Sequence, residues 1–157
     1  MKTPIAVALA VSLTASPAAA LSLASCAVGS TPVAFGTYDP TSGVPVASIG
    51  TVTVSCNLIV GVSLFVAYSI TLSTGSGSYT QRTMHSGGMA LGYNLYSSSS
   101  YGSVWGDGTG GSSPQSDAYL LGLGSTIKNY PIYGRIPASQ IVGAGTYSDS
   151  IVVSVTY

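Results

Sequence analysis

Between positions 62 and 72 the chain alternates without a break. Val62, Leu64, Val66, Tyr68, Ile70 and Leu72 fall on one side, and Ser63, Phe65, Ala67, Ser69 and Thr71 fall on the other. Side chains of an extended strand point to opposite faces with a period of two, so this run is a strand with one face turned to a core. Beyond the first twenty positions little would support a helix, because the sequence has no Glu, 20 Gly and many Ser and Thr. A helical bundle is excluded.

The same period recurs along the chain. Ile49, Val52 and Val54 lead into Cys56, and Met89, Leu91, Tyr93 and Leu95 alternate again. Positions 126–136 have strand character, with Pro131 marking an edge or a bulge because proline cannot donate to a ladder. Near the end, Tyr147, Asp149, Ile151, Val153, Val155 and Tyr157 share one face, and the run continues to the final residue. Ser73-Thr74-Gly75-Ser76-Gly77-Ser78 offers turn residues only, and a Ser/Gly-rich loop is expected over 97–117. Six or seven short strands so spaced predict an all-β protein, an antiparallel β-sandwich in one domain. With 46% hydrophobic residues and no net charge, the chain is far from the composition of a disordered one.

The N-terminus reads as an export signal rather than as part of the fold. Lys2 precedes an apolar run over 5–13 that is too short to span a bilayer, and Ala18-Ala19-Ala20 provides small residues for cleavage. The expectation is a signal peptide over 1–20 and a mature domain over 21–157 with no membrane span. In an oxidising compartment Cys26 and Cys56 are most simply one disulfide, with free thiols the alternative, and two cysteines without a nearby His make a poor metal site. The bridge would hold the start of the mature chain against the end of the next extended segment.

Charge narrows the function. Lys2, Arg82, Lys128 and Arg135 are the only basic residues besides His85 and stand far apart, so no surface can neutralise a run of phosphates and nucleic acid is excluded as a partner. No enzyme is expected, and no cofactor or metal. His85 is the one imidazole, no serine sits in a nucleophile-elbow sequence, and the four Asp are too widely spaced for paired-carboxylate chemistry or a calcium loop. Tyr38-Asp39-Pro40 and Gly106-Asp107-Gly108 are contexts in which Asp serves turns.

The Ser/Gly loop carries the other candidate surface. Trp105 could stack on a sugar ring with Tyr96 and Tyr101 nearby and Asp107 two positions on, or it could cap one end of the sandwich core. Both readings stand at this point.

A series of short motifs adds a resemblance. In order they are Cys26, Phe35-Gly36-Thr37-Tyr38-Asp39-Pro40, Cys56, Leu72-Ser73-Thr74-Gly75, Arg82-Thr83-Met84, Leu91-Gly92-Tyr93-Asn94-Leu95-Tyr96, Trp105-Gly106-Asp107-Gly108, Tyr133-Gly134-Arg135-Ile136 and Gly145-Thr146-Tyr147-Ser148-Asp149-Ser150. Together they resemble the spore coat protein U family, which includes the Csu-type pilins of the archaic chaperone-usher pathway. The resemblance implies an immunoglobulin-like sandwich that lacks its final strand. Its open groove would be filled first by a periplasmic chaperone and then, after passage to an outer-membrane usher, by a strand from another pilin subunit. The physics is β-strand addition, in which main-chain hydrogen bonds supply affinity and alternate side chains fill pockets. Ile151, Val153, Val155 and Tyr157 would border that groove. The product would travel through the periplasm to the cell surface, in a pilus or coat.

One feature departs from the pattern. A donor strand needs about ten residues at roughly 3.3 Å each, and only Leu21-Ser22-Leu23-Ala24-Ser25 stand between the expected cleavage point and Cys26. A subunit that receives a strand without giving one fits a tip position. The alternative function is a self-contained secreted sandwich that binds carbohydrate or another surface ligand through its loops.

Overall fold

The computed structural model describes residues 24–59 and 64–157. The expected signal peptide and Val62 of the alternating run lie outside the described residues. Ten strands are described: β1 (Ala24–Thr31), β2 (Val46–Leu58), β3 (Leu64–Leu72), β4 (Arg82–Ser86), β5 (Met89–Tyr96), β6 (Val104–Trp105), β7 (Ser112–Ser113), β8 (Gln115–Leu121), β9 (Ser125–Ile136) and β10 (Val153–Thr156).

They form two sheets. The larger runs β1-β2-β9-β5-β6-β7 with β4 also on β5, and the smaller runs β10-β3-β8. All pairs are antiparallel except the two-residue β6–β7 contact, which is parallel. The apolar parities predicted from sequence meet between the sheets: Val52, Val54 and Cys56 from β2, Val66, Tyr68, Ile70 and Leu72 from β3, and Leu91, Tyr93 and Leu95 from β5 are buried. The chain is thus the all-β sandwich its alternation predicts. Ile49, of the opposite parity to Val52, is exposed, and so is Met89.

Cys26 and Cys56 are directly opposed across β1 and β2 and are joined in a disulfide. Pro131 pairs with Thr51 of β2, in a stretch of β9 that lies before β5 begins to pair at Tyr133. That is a locally open edge, where a missing N–H costs nothing.

Several expectations need correction. The 97–117 stretch is not one loop: β6 and β7 lie within it, and β8 begins at Gln115. The period of β8 is hidden in the sequence because its inward parity is Gln115, Asp117, Tyr119 and Leu121, polar at its start. β4 was missed for a related reason, since one of its two inward residues is Arg82. The C-terminal run is not a continuous strand either. Ser148 forms an isolated bridge with His85 of β4, whereas only Val153–Thr156 pairs with β3, so the segment crosses from one sheet to the other. His85 itself lies within β4.

Candidate strand-accepting groove

The groove follows from how the chain enters and leaves the sandwich. After β1 the segment 32–38 crosses the core face of the larger sheet, which two glycines permit. A Cβ on Gly50 would lie 2.8 Å from Val33 Cγ2, and one on Gly134 would lie 2.5 Å from Val33 Cγ1 and 2.7 Å from Phe35 Cζ. Opposite, residues 142–153 run past β4 towards β3. Between these two walls the sandwich core is open.

Two adjoining cavities of about 360 and 630 Å³ share Val33, Phe35, Met84 and Tyr147. Their floor is apolar, with Leu72, Leu95 and Ile132 under the first and Leu91 and Ile136 under the second. Phe35 packs edge-on against Tyr93 with ring centroids 5.8 Å apart. The C-terminal wall contributes Val142, Ile151 and Val153, all partly buried against the core.

Each described sheet ends in an outer strand here: among the described residues β1 pairs with β2 and β10 with β3, and the Cys26 N–H of β1 is bonded to the Tyr157 hydroxyl. The outer edge of such a strand presents N–H and C=O groups at strand spacing, and an incoming strand can satisfy them.

The four predicted border residues part company. Ile151 and Val153 line the first cavity, and Val155 is partly buried against the core outside it. Tyr157 is not core-facing: it is 58% exposed, and its hydroxyl accepts a hydrogen bond from the Cys26 N–H at 3.4 Å. That contact ties the end of the chain to β1.

One polar cluster sits in the wall. Asp149 accepts from the Tyr93 hydroxyl at 2.7 Å, from Ser76 N and Oγ at 3.0 and 2.9 Å, and from Ser150 N at 2.9 Å. Burial, and then the bond to Asp149, pushes the Tyr93 phenol well above the ordinary tyrosine range.

Sequence reasoning missed Arg82, which makes as many side-chain hydrogen bonds near the groove as Asp149 does. It is fully buried, donates through Nε and Nη2 to the Ser73 carbonyl at 3.0 and 2.8 Å, through Nη1 to Asn94 Oδ1 at 2.7 Å, and through Nη2 to the Trp105 carbonyl at 2.8 Å. Burial lowers its pKa. The sequence signal was its place on one strand parity with Met84, with no carboxylate nearby to explain it.

The proposed loop surface dissolves at its centre. Trp105 is fully buried, and its indole N–H donates to the Ile70 carbonyl at 2.9 Å, so it caps the core. Asp107 accepts from Thr109 N and Oγ1 at 2.9 and 2.6 Å, the turn role its context predicts. Tyr96 and Tyr101 do meet, edge to face, with centroids 5.3 Å apart. Among the described residues no group of three or more His, Cys, Asp or Glu could hold a metal ion, and no helix is long and apolar enough to cross a membrane.

Comparison with known proteins decides the family. The sequence model of the Spore Coat Protein U domain matches residues 10–154. The chain belongs to the spore coat protein U family. Protein U of Myxococcus xanthus is 31% identical to this spore coat protein U domain over 146 residues, covering 88% of this chain and 78% of the relative. Among solved structures, the CsuC-CsuE chaperone-tip adhesion subunit pre-assembly complex from the archaic chaperone-usher Csu pili of Acinetobacter baumannii matches with a TM-score of 0.55 and 24% identity. That match covers 86% of this chain and 40% of the other, so the domain spans less than half of the protein it resembles, and the likeness is one of fold.

Proposed function

We propose that this chain is a structural subunit, not an enzyme, of a surface pilus or coat assembled by chaperone-usher strand exchange. The observation that carries the reading is the apolar opening between residues 32–38 and 142–153, bordered by the end of β1 at Ser30 and Thr31 and by Val153 of β10, each an outer strand among the described residues. A strand laid there would pair with an edge through its backbone and place alternate side chains over Leu72, Leu95 and Ile132. Left empty, such a surface invites aggregation. Its partners would be a periplasmic chaperone, an outer-membrane usher and other subunits, on a route through the periplasm to the cell surface.

A tip position is the finer proposal. β1 is paired with β2 from Ala24 onward and closed onto it by the disulfide, so Ala24–Thr31 is committed to this fold and is not free to fill a neighbour's groove. The loop-binding alternative is weakened by the burial of Trp105.

The test is to produce the mature chain in an oxidising compartment with and without a cognate chaperone, and to weigh the product by native mass spectrometry. A one-to-one complex, with loss or aggregation of the chain alone, supports strand acceptance. A stable, disulfide-bonded monomer that ignores added donor peptides would overturn it.

A further inference from the structure

Across β5 from the groove lies another open cavity of about 520 Å³, with Tyr93 bordering both. Asn94 of β5 stands directly opposite Arg135 of β9, and Tyr96 opposite Tyr133, so Asn94, Tyr96 and Arg135 share one face. Thr80 and Gln81 complete the polar lining.

Arg135 is the distinctive group. Lys128 lies 3.8 Å from Asp117, and Arg82 is saturated by carbonyl oxygens. Arg135 is half-buried, and its guanidinium lies 4.9 Å from the centre of the Tyr101 ring, with no hydrogen bond or carboxylate partner among the described residues. Tyr101 reaches it from a left-handed backbone conformation, φ 56°, rare for a residue with a side chain, and is braced edge-on by Tyr96. Stacking orients the guanidinium while leaving its N–H fork unspent, in a chain with almost no spare charge. The Gln81 carboxamide is exposed and also makes no hydrogen bond among the described residues.

We infer that this cavity binds an acidic sugar unit of a polysaccharide, with Arg135 forking onto its carboxylate, Tyr96 offering its ring to the pyranose, and Tyr101, outside the lining, holding the guanidinium in place. A planar guanidinium matches a carboxylate in bidentate geometry. Tyrosine supplies a flat apolar body with a polar tip, and Thr80 and Gln81 supply donors and acceptors suited to sugar hydroxyls. A neutral sugar would leave the guanidinium without a counter-charge.

The test titrates the full mature chain, kept soluble with whatever strand fills its groove, with a tetrasaccharide of alternating glucuronic acid and N-acetylglucosamine. Chitotetraose and a short polyglutamate peptide are the comparison probes, followed by NMR shifts and calorimetry. The expected result is binding of the acidic tetrasaccharide alone, with shifts at Tyr96 and Tyr101. Affinity should fall as salt rises and drop at least tenfold in Arg135→Gln, with Arg135→Lys between the two. If Arg135→Gln does not form its disulfide, Gln81→Ala, which changes an exposed side chain, takes its place and should still weaken binding severalfold. No binding, equal binding of chitotetraose or polyglutamate, or variants as tight as the parent would overturn the inference. Because neither Arg135 nor Gln81 lines the groove, none of these outcomes bears on strand acceptance.

Discussion

The Tyr93 hydroxyl donates to Asp149 Oδ2 at 2.7 Å, joining the floor of the groove to its C-terminal wall. The other oxygen of Asp149 holds the 73–78 turn through Ser76, and Gly75 in that turn has φ 60° and no room for a Cβ, which would sit 2.1 Å from the carboxylate. One carboxylate thus fixes the point where the chain changes sheets. Asp149→Ala should cost about 2–3 kcal/mol, because it strands several donors, whereas Tyr93→Phe should cost about 1 kcal/mol. The double variant should cost less than the sum, since both changes remove the same bond. Urea unfolding of the three variants, each with the same donor peptide bound, checks this.

Arg82 makes a sharper case. Its guanidinium is the partner of the Ser73 and Trp105 carbonyls and of Asn94, all beside the core. Arg82→Met keeps much of the volume and leaves those acceptors unsatisfied, at a cost of about 3 kcal/mol or more. Arg82→Lys should recover only part of this, because an ammonium cannot reach three acceptors in a planar fork. A thermal melt of Arg82→Met indistinguishable from that of the parent would show that the network contributes nothing net.

Stability should plateau across a broad pH range and fall at both ends. Asp117 accepts from the Tyr130 hydroxyl at 2.7 Å, and this bond holds its carboxyl below the usual range. A depressed carboxyl contributes fully above its unfolded value near pH 4, and the contribution is lost as pH falls through the folded value. Tyr93 and Tyr130 are raised, chiefly by burial. Their contribution is present below the unfolded phenol value of about 10 and fades as pH rises beyond it. Tyr130→Phe should therefore flatten both limbs of the profile, measured as melting temperature from pH 2 to 12.

How much of this was legible follows from parity. Wherever the inward residues were apolar, as in β3 and in β5 from Leu91, the strand and its buried face could be read directly. Where a polar residue faced inward, as Arg82 does in β4 and Asp117 in β8, the alternation was masked, because the partner that makes burial tolerable lies far off in sequence. Trp105 sat in a stretch whose local composition says loop, and only its bond to the Ile70 carbonyl, 35 positions away, shows it to be core. The C-terminal run was overread for the opposite reason: its alternation is real, but Asp149 and the Ser148 bridge divert it between sheets. The groove walls were legible only in part, since in the segment 32–38 only Val33 and Phe35 alternate inward, too short a run to read as a wall.

Reduction of the disulfide should loosen β1 selectively. Cys26 and Cys56 lie 30 positions apart, so the bridge removes loop-closure entropy worth about 3–4 kcal/mol in the unfolded chain. Among the described strands β1 pairs with β2, and the Cys26 N–H is bonded besides to the Tyr157 hydroxyl. In Cys26→Ala with Cys56→Ala, amide exchange should accelerate over Ala24–Thr31 far more than over β3, and uniform acceleration would argue against a locally stapled edge.

The groove itself can be tested by two adjacent residues of opposite parity. Ile151 lines the first cavity, whereas Val152 is exposed and meets Ser73 through its backbone alone, accepting from Ser73 N and donating to its hydroxyl, both at 2.9 Å. Ile151→Asp puts a charge where an incoming strand must bury its apolar side chains, and an unpaired charge there carries a large desolvation penalty. Val152→Asp leaves every backbone bond in place and keeps its charge in water. Capture of the chain by a periplasmic chaperone, scored as a one-to-one complex from an oxidising compartment, should therefore fall at least tenfold for Ile151→Asp and stay near the parent level for Val152→Asp. Equal loss in both would mean that the segment 147–152 matters for folding rather than as a wall for a donated strand, and equal retention would place strand entry elsewhere.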